Sequence, residues 1–383
     1  MDLPTGQPSP PSVWVHGASA GDQRALSPLV SALLEGGEVE VRVTAFTTTG
    51  RSMGTSLFGH RFIGRPPLPL GPFVDRFLNR HKPRLCILEY LELYPAWIMR
   101  CLARGLEIGV VDGKVGPRSL RIARLLAPSA RHLSFFCAQT EADAEGASRL
   151  GVPDRRITVC GNGKHDADFS APPQPTPDLR AAVGAVDVVI GSLFTNEERP
   201  FIEALKSRLP SHGLRVLLAP RYPDRAGSIA RRARRAGLKV ALRSEGPSPD
   251  AQLVVLDTLG ELAAAYALAP VALIGGGFSR RGSQNLVEAA AHGCVLICGP
   301  NVSNVELEIR ALDGETTFRA ETFAHALDAA SSWAGPREPA RHQAALRRLS
   351  GATARHLTVL APFLARAAVP WYCPQPIFNG GER

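Results

Sequence analysis

The chain has 383 residues, of which 45% are hydrophobic and 21% are charged. This length suggests two or three domains of about 100–200 residues each, and the apolar fraction excludes a disordered protein. No run of about 18 apolar residues occurs, so we expect no membrane-spanning helix, and the first residues lack the apolar segment of a secretory signal.

The formal net charge is +9. A mild basic excess suits a protein that binds phosphates or lies against an anionic membrane. Many nucleic-acid-binding proteins show clustered basic residues interleaved with aromatic ones. Here the one basic run, residues 231–235 (RRARR), falls on a predicted helix as a solvated face. We therefore expect no nucleic-acid partner.

The first 12 residues are rich in Pro and Ser and predict a disordered leader. Runs rich in β-branched residues then predict strands at 13–16, 41–46, 85–88, 108–112 and 157–160. Helical patterns accompany them at 23–35, 72–81, 94–104, 119–126 and 141–150. Strands that alternate with helices indicate βαβ units around a parallel sheet. Residues 13–169 are therefore predicted to form a Rossmann-like domain.

A stretch with four prolines, SAPPQPTPD at 170–178, predicts a linker at 170–180. The alternation then resumes, with strands predicted at 186–192, 215–220, 239–242, 253–257, 271–277 and 295–300. The intervening helices are predicted at 197–208, 224–236, 259–268 and 285–292. A second Rossmann-like domain is thus expected at 181–335, then C-terminal helices at 336–368 and a tail at 369–383. The predicted fold is α/β, with two Rossmann-like domains, an interdomain cleft, and ligands beyond the carboxyl ends of the strands.

The seven cysteines form no C-x-x-C pair, which fits buried free thiols in a reducing cytoplasm. Cys294 and Cys298 have the spacing of a metal-binding pair. Because no second pair lies nearby in the sequence, we expect them to pack in the core, and we expect no metal site.

The first predicted strand ends in HGASAGD, residues 16–22. Small residues here let a ligand or another backbone segment approach closely. Asp22 is expected in the first turn of the next helix, where a carboxylate also stabilises the helix N-terminus by about 0.3–1 kcal/mol. His16 is likewise either a functional group or a core histidine. When each residue is considered alone, helix stabilisation is favoured for Asp22 and a core position is favoured for His16.

In the second half, the strand at 271–277 ends in three glycines, and Arg280 and Arg281 follow. Glycines, guanidinium groups and a helix N-terminus together suit a phosphate. The loop lacks the G-K-[ST] of a Walker A motif, and no G-x-G-x-x-G follows the first strand, which disfavours a nicotinamide enzyme. Asn285 with Glu288, and Thr258 with Glu261, have the spacing of helix capping boxes, although a glutamate there also suits a ribose diol.

Eight segments follow one another along the chain: HGASAGD, the stretch 67–95, CGNGKHD (160–166), GSLFTNEE (191–198), APRYPDR (219–225), DTLGEL (257–262), the stretch 275–293, and GPNVSN (299–304). In their order and spacing, these segments resemble those of the 3-deoxy-manno-octulosonic acid (Kdo) transferases, GT-B-fold glycosyltransferases that modify lipid A. The resemblance covers roughly 13–312 and identifies the chain as similar to this family along most of its length.

The resemblance implies transfer of Kdo, or a similar acidic sugar, from a CMP-sugar to a lipid A precursor. The transfer would be metal-independent and inverting, without a cofactor, with Asp22 as the base and with Lys164 and Arg221 as further catalytic residues. The donor-binding positions that it implies are Ser192, Arg221, Thr258, Gly260, Glu261, Gly276, Gly277, Ser283, Gln284, Asn285 and Glu288. The acceptor-binding positions, in the N-terminal domain, are His16, Ser19, Glu92, Lys114 and Arg118.

Several positions depart from the family pattern. Asp22 replaces a Glu and is one methylene shorter, which removes about 1 Å of reach. Tyr90 replaces another Glu, while Tyr222, Phe194 and Gln284 stand where histidines are usual. Two alternatives are therefore kept: a GT-B transferase with a different donor or acceptor, and an inactive paralogue that binds nucleotide or lipid.

The resemblance also implies peripheral binding to an anionic membrane surface, at the cytoplasmic face of the bacterial inner membrane. One candidate for this contact is the apolar, Pro-rich stretch 64–73 (GRPPLPLGPF), which we expect to form an exposed loop. The other is 119–133, where arginines border apolar residues. The alternative for the second stretch is an ordinary amphipathic helix with its apolar face in the core.

Overall fold

A computed structural model of the chain describes residues 11–37, 39–166, 171–312, 316–333 and 335–368. Most of the predicted leader and the whole predicted tail, 369–383, lie outside the described residues. The chain divides into two compact units, one formed by 1–167 with 350–383 and the other by 168–349. Among the described helices, none combines the length and the apolar character needed to cross a membrane.

The first unit is built on a seven-stranded sheet in the order β3-β2-β1-β4-β5-β6-β7, in which all paired strands run parallel. Its strands are β1 (Ser12–His16), β2 (Glu40–Thr44), β3 (Phe62–Gly64), β4 (Pro83–Glu89), β5 (Glu107–Gly113), β6 (Phe136–Ala138) and β7 (Ile157–Val159). The helices between them are α1 (Ala20–Glu35), α2 (Thr48–Phe58), α3 (Gly71–His81), α4 (Pro95–Leu102), α5 (Pro117–Arg121), α6 (Ala123–Ala130) and α7 (Glu141–Arg149).

The second unit has a seven-stranded sheet in the order β10-β11-β9-β8-β12-β13-β14, again with parallel pairing. Its strands are β8 (Val188–Leu193), β9 (Val216–Pro220), β10 (Val240–Leu242), β11 (Leu253–Val255), β12 (Val271–Ile274), β13 (Val295–Cys298) and β14 (Thr317–Arg319). Its helices are α8 (Pro177–Val183), α9 (Thr195–His212), α10 (Ala226–Arg235), α11 (Leu262–Ala265), α12 (Val287–Ala291), α13 (Glu306–Ala311), α14 (Phe323–Ser332) and α15 (Pro339–Leu349).

Both faces of each sheet are buried. Because successive residues of a strand point to opposite faces, neighbouring residues pack into different hydrophobic clusters. In β1, Val13 and Val15 belong to one hydrophobic cluster and Trp14 to another. In β8, Val188 and Ile190 are separated from Val189 in the same way. This double burial explains the near-continuous apolar runs from which the sequence predicts a parallel sheet in each half, and that fold class is confirmed.

Helix α8 begins inside the Pro-rich stretch from which a linker is predicted at 170–180. The side chain of Thr176 accepts a hydrogen bond from the Leu179 N–H, and Pro177 occupies the first helical position, where its fixed φ is favourable. The same proline that predicts a linker here starts a helix.

The last helix, α16 (Ala352–Ala368), belongs to the first unit although it follows the second in the chain. The carboxylate of Asp166 accepts the N–H groups of Gly351, Ala352 and Thr353 and so caps its N-terminus. Leu360 is fully buried in the core of the first unit. The first unit is therefore discontinuous in sequence.

Candidate active site

In the first sheet the strand order reverses between β1 and β4, the position at which open parallel sheets bind ligands. Helix α1 leaves β1 through Gly17 and packs closely behind it. A Cβ on Gly17 would lie 2.8 Å from Leu26 Cδ1 and 3.0 Å from the Asp22 Cβ. The glycine thus lets the first turn of α1, with Asp22, approach the end of the sheet.

Asp22 is half-buried and completes a capping box with Ser19, the N-cap residue of α1. The Ser19 N–H donates to Asp22 Oδ2 at 2.7 Å, and the Asp22 N–H donates to Ser19 Oγ at 3.4 Å. The helix-stabilising role that the sequence favours is therefore present. Oδ2 is one of two carboxylate oxygens, so the cap leaves acceptor capacity on the other.

Glu89, the last residue of β4, lies beside Asp22 and is only 2% exposed. Burial, the negative charges of Asp22 and Asp112, and a hydrogen bond to the Asp22 side chain all raise the pKa of Glu89 well above its ordinary value. Burial also raises the pKa of Asp22, and hydrogen bonds from Ser19, Glu89 and Ala18 oppose that increase. The directions of these shifts favour a protonated Glu89 that donates a hydrogen bond to an Asp22 carboxylate.

Asp112, near the end of β5, adds a third buried carboxyl group, and its backbone is left-handed with φ 51°. Its Oδ1 accepts the Gly163 N–H at 2.7 Å. Burial raises the pKa of Asp112 to about 7, while Gly163 and the charge of Lys164 oppose the shift. Sequence reasoning missed Glu89, although the stretch 67–95 contains it, and Asp112, which ends a predicted strand without a motif of its own.

Lys164 lies half-buried in a short 3₁₀ turn, Gly163–Asp166, that closes on this carboxyl cluster. A Cβ at Gly163 would lie 2.6 Å from the Ala25 carbonyl oxygen and 3.2 Å from Asp112 Oδ2, so the turn needs glycine to pack against α1. In this position, the positive charge of Lys164 lowers the pKa of Asp112 and so opposes the effect of burial. The catalytic role of Lys164 stays a prediction.

The residues predicted to bind the acceptor lie around the same edge in different environments. His16 is fully buried between Phe46 and Trp97, with its Nδ1 2.8 Å from Thr44 Oγ1, and burial lowers its pKa to about 3. Its ring is therefore neutral and covered. Glu92 is half-buried beside the Tyr94 hydroxyl, and burial raises its pKa.

Lys114 is half-buried just after β5, and Ser19 caps α1. Arg118 is the second residue of the short helix α5, and its side chain is not among those that the structure describes. The structure therefore gathers Ser19, Glu92 and Lys114 near the carboxyl ends of β1, β4 and β5. Their role in acceptor binding stays a prediction.

In the second sheet the order reverses between β8 and β12, and the predicted donor loop lies there. Ser192 has a left-handed backbone with φ 58°, and Gly276 has φ 89°. A Cβ on Gly275 would lie 2.5 Å from the Ser192 carbonyl oxygen. The glycines thus permit the two strand ends to meet.

Glu197, in the first turn of α9, fixes this loop. Its carboxylate accepts the N–H groups of Gly276 at 2.8 Å, Phe278 at 3.1 Å and Phe194 at 3.1 Å. Because Glu197 takes the amides of Gly276 and Phe278, a phosphate here must be bound by other groups. Sequence reasoning missed this clamp, although the segment GSLFTNEE contains it.

Exposed guanidinium groups flank the loop. Arg221 follows β9, donates its backbone N–H to the Leu193 carbonyl oxygen at 2.8 Å, and places its guanidinium 5.7 Å from the Tyr222 ring centroid. Arg281 lies 5.0 Å above the Phe194 ring. Both charges are therefore available to an anion at the carboxyl edge of this sheet.

The remaining predicted donor residues are engaged within the unit. Glu261 accepts two hydrogen bonds from Arg243, each 2.9 Å, and one from the Thr258 hydroxyl. Ser283 is buried, and the Gln284 N–H donates to the Gly275 carbonyl oxygen at 2.9 Å. Gly260, in the loop after β11, has φ 84°, and Gly277 is buried after β12.

Neither of the two pairs with capping-box spacing forms a capping box. The N-cap of α11 is Glu261, and that of α12 is Leu286, neither of which accepts a side-chain capping hydrogen bond. Instead, Asn285 Oδ1 accepts the Val287 N–H at 3.1 Å, and Glu288 lies in the first turn of α12. The loops after β11 and β12 run further than their sequence spacing suggests, so both helices start later.

Residues 2–167 match the family model described as 3-deoxy-D-manno-octulosonic-acid transferase (kdotransferase). A 3-deoxy-D-manno-octulosonic acid transferase of Bordetella pertussis is 36% identical over 370 residues, which cover 90% of this chain and 84% of the relative. The chain belongs to the Kdo transferase family. The Haemophilus influenzae Kdo transferase is 26% identical over 382 residues, covering 94% of this chain and 88% of that protein. Membership in this family makes the chain a glycosyltransferase.

Solved structures agree with this Kdo transferase in fold. S. aureus MnaA with UDP matches with a TM-score of 0.64 at 11% identity, over 93% of this chain and 97% of that one. A glycosyltransferase from Rickettsia africae matches with the same TM-score and identity, over 93% and 99%. At such identities the likeness shows the fold alone, which is GT-B, with two Rossmann-like domains.

Proposed function

We propose that the chain transfers Kdo from CMP-Kdo to a lipid A precursor by metal-independent, inverting transfer, with Asp22 as the general base. The observation that carries this proposal is the pairing of Asp22 with Glu89 at the reversal point of the first sheet. Burial raises the pKa of Asp22, which strengthens it as a base, and the donated proton of Glu89 keeps it ionised.

In the proposed reaction, the general base deprotonates the acceptor hydroxyl. An ionised Asp22 takes the proton from an acceptor hydroxyl as the hydroxyl oxygen attacks the anomeric carbon of Kdo, and the bond to the CMP phosphate breaks. Attack opposite the leaving group inverts the anomeric carbon. The neutral Glu89 stabilises the carboxylate before transfer without adding a second negative charge.

The departing CMP phosphate needs positive charge, and Arg221 supports this part of the proposal. Its exposed guanidinium follows β9, next to β8 in the second sheet. A guanidinium pairs with two phosphate oxygens at once and so can neutralise a leaving group without a divalent ion. We assign Arg221 to the donor phosphate and keep Lys164 as a second cation.

The acceptor is a lipid, so we place the reaction at the cytoplasmic face of the bacterial inner membrane, with peripheral attachment. Exposed apolar side chains support a membrane contact of the first unit. Leu68, Leu70 and Phe73 are 53%, 57% and 51% exposed, and Ile122 and Leu125 are 50% and 69% exposed. Leu120 and Leu126 pack against the core instead. The stretch 119–133 therefore has some apolar side chains in the core and others exposed to solvent.

The test is transfer itself. Purified enzyme with CMP-Kdo and a lipid A precursor should give Kdo-modified lipid by mass spectrometry, with an inverted anomeric centre by NMR and no rate increase on adding Mg²⁺. Asp22→Asn should abolish transfer and leave CMP binding unchanged, whereas Glu35→Gln, at the far end of the same helix, should remain active. Normal turnover of Asp22→Asn would remove it as the base. CMP binding without transfer by the unaltered enzyme would favour the inactive paralogue.

A further inference from the structure

Three side chains with metal-binding atoms meet in the first unit, outside the proposed transfer site. Cys137 lies in β6, Cys160 directly follows β7, and His356 lies in α16. The two sulfur atoms and a ring nitrogen of His356 all lie within 4.8 Å of one another. Each of the three residues is at most 1% exposed, so any ion bound among them is shielded from water.

His356 has one buried ring nitrogen without a hydrogen-bond partner. Its Nε2 is buried without a hydrogen-bond partner, and it lies 3.6 Å from Asp112 Oδ1. Burial lowers the pKa of His356 to about 4, so the ring is neutral and has a lone pair to offer. A buried polar atom without a partner costs about 1–3 kcal/mol, and coordination to an ion removes that cost.

The donor atoms are of the kind that zinc prefers. Thiolate and imidazole ligands bind Zn²⁺ at about 2.3 and 2.0–2.1 Å, which places neighbouring donors in a tetrahedral site roughly 3.3–3.8 Å apart. The donor atoms lie within 4.8 Å of one another, so the side chains need to close by at most about 1–1.5 Å. The 3.6 Å between His356 Nε2 and Asp112 Oδ1 already fits. A hydrogen bond from Cys137 and then the charge of Arg355 lower the pKa of Cys160, while that hydrogen bond and burial raise the pKa of Cys137. Arg355 also donates to the Cys160 carbonyl oxygen at 2.6 Å.

We propose that Cys137, Cys160 and His356 bind one zinc ion, with Asp112 as the fourth ligand, and that this site fastens α16 to the first sheet. Binding converts both thiols to thiolates and releases two protons to solvent, while the neutral imidazole coordinates through its lone pair. Four protein ligands and no access for water make the site structural. Asp112 also belongs to the carboxyl cluster beside Glu89, so the proposal is tested by metal binding and not by the rate of transfer.

The test measures metal binding by the full-length protein. Reduced, metal-free enzyme should take up one Zn²⁺ per chain by elemental analysis, with an increase in its thermal midpoint. Co²⁺ should produce a thiolate-to-cobalt charge-transfer band and the intense visible bands of a tetrahedral site. Cys137→Ser, Cys160→Ser and His356→Asn should each weaken Zn²⁺ binding by at least about 100-fold, and Asp112→Asn by at least about 10-fold.

Cys101→Ser is the matched control. Cys101 and Cys86 form another buried, hydrogen-bonded thiol pair in the same unit, and this variant should bind Zn²⁺ like the unaltered protein. The cobalt spectrum needs no variant, so poor folding of the ligand variants does not block the test. Lack of the charge-transfer band would overturn the proposal, and so would equal Zn²⁺ affinity in Cys137→Ser and the unaltered chain.

Discussion

Asp22 and Glu89 are two neighbouring carboxyl groups whose environments separate their affinities for protons. Glu89 is the more deeply buried, and both the charge of Asp22 and the hydrogen bond to it raise the pKa of Glu89 further. The same hydrogen bond lowers the pKa of Asp22. One proton therefore rests on Glu89, and Asp22 is the group left to accept another.

This division of roles predicts a pH dependence. The pKa of Asp22 is raised above its ordinary value of 3.8, and only the ionised form accepts a proton. The kcat/KM should therefore fall as the pH decreases through a value above 3.8. Glu89→Gln, which still donates a hydrogen bond, should keep this profile. Glu89→Ala loses a charge-assisted hydrogen bond of about 1.5–3 kcal/mol, so its acidic limb should move up by about 1–2 pH units.

Both variants are measured by kcat/KM across the pH range. A glutamate that acted only in folding would lower the rate at every pH without moving the limb. An unchanged profile in Glu89→Ala would contradict the role of Glu89 as a positioning residue for Asp22.

Arg221 provides a second prediction for a single residue. Arg221→Ala should weaken binding of CMP by about 1.5–3 kcal/mol, the range of a charge-assisted hydrogen bond. Arg221→Lys should recover part of this loss, because the charge remains and the bidentate geometry does not. Calorimetric titration with CMP checks both, and Arg199→Ala, an exposed arginine on α9, serves as the control. Equal affinities for all four proteins would rule out a phosphate contact of Arg221.

At the scale of elements, α9 and the glycine loop after β12 are joined through the Glu197 carboxylate. Each buried N–H left without an acceptor costs about 1–3 kcal/mol. Glu197→Ala should therefore lower the free energy of unfolding by at least about 2 kcal/mol and weaken CMP binding as the loop loosens. Urea unfolding and calorimetry measure the two effects.

Glu203→Ala is the matched control on the same helix. Glu203 forms an exposed ion pair with Arg199 four residues away, and such exposed pairs contribute little to stability. If both variants unfold at the same urea concentration, the clamp contributes no stability.

The parallel sheets could be predicted from the sequence because long buried strands such as β4 and β5 appear as apolar, β-branched runs. The strands β3, β6 and β14 were not predicted, although they have three residues each, as the predicted β7, β10 and β11 do. Asp22 and the glycine loop could be located because they belong to motifs. Glu89, Asp112 and Glu197 could not be identified as partners, because their roles depend on which strand ends lie side by side.

At the scale of the whole molecule, the exposed apolar side chains of the first unit predict membrane binding. Arg65 and Arg76 are exposed near Leu70 and Phe73 in sequence, and each basic residue near an anionic surface contributes about 1 kcal/mol. The protein should therefore co-sediment with anionic vesicles at low salt and be released at high salt. Equal binding to neutral vesicles, or none to either, would contradict peripheral electrostatic attachment.

Replacing Leu70 and Phe73 together with Ser should reduce this binding by removing apolar contact area. Leu259, which is 84% exposed in the second unit, provides the control, and Leu259→Ser should bind vesicles normally. A matching reduction in Leu259→Ser would show that the contact is not specific to the first unit.

The return of α16 to the first unit has a consequence for synthesis on the ribosome. The first 167 residues emerge early, but their closing helix is translated only after the whole intervening unit, 168–349. At about 5–20 residues per second this delay lasts roughly 10–40 s. During that time Phe135 lacks its ring partner Phe363, 5.0 Å away in the finished fold, and the surface that receives Leu360 is uncovered. The nascent chain therefore presents an apolar face to chaperones until α16 has been translated.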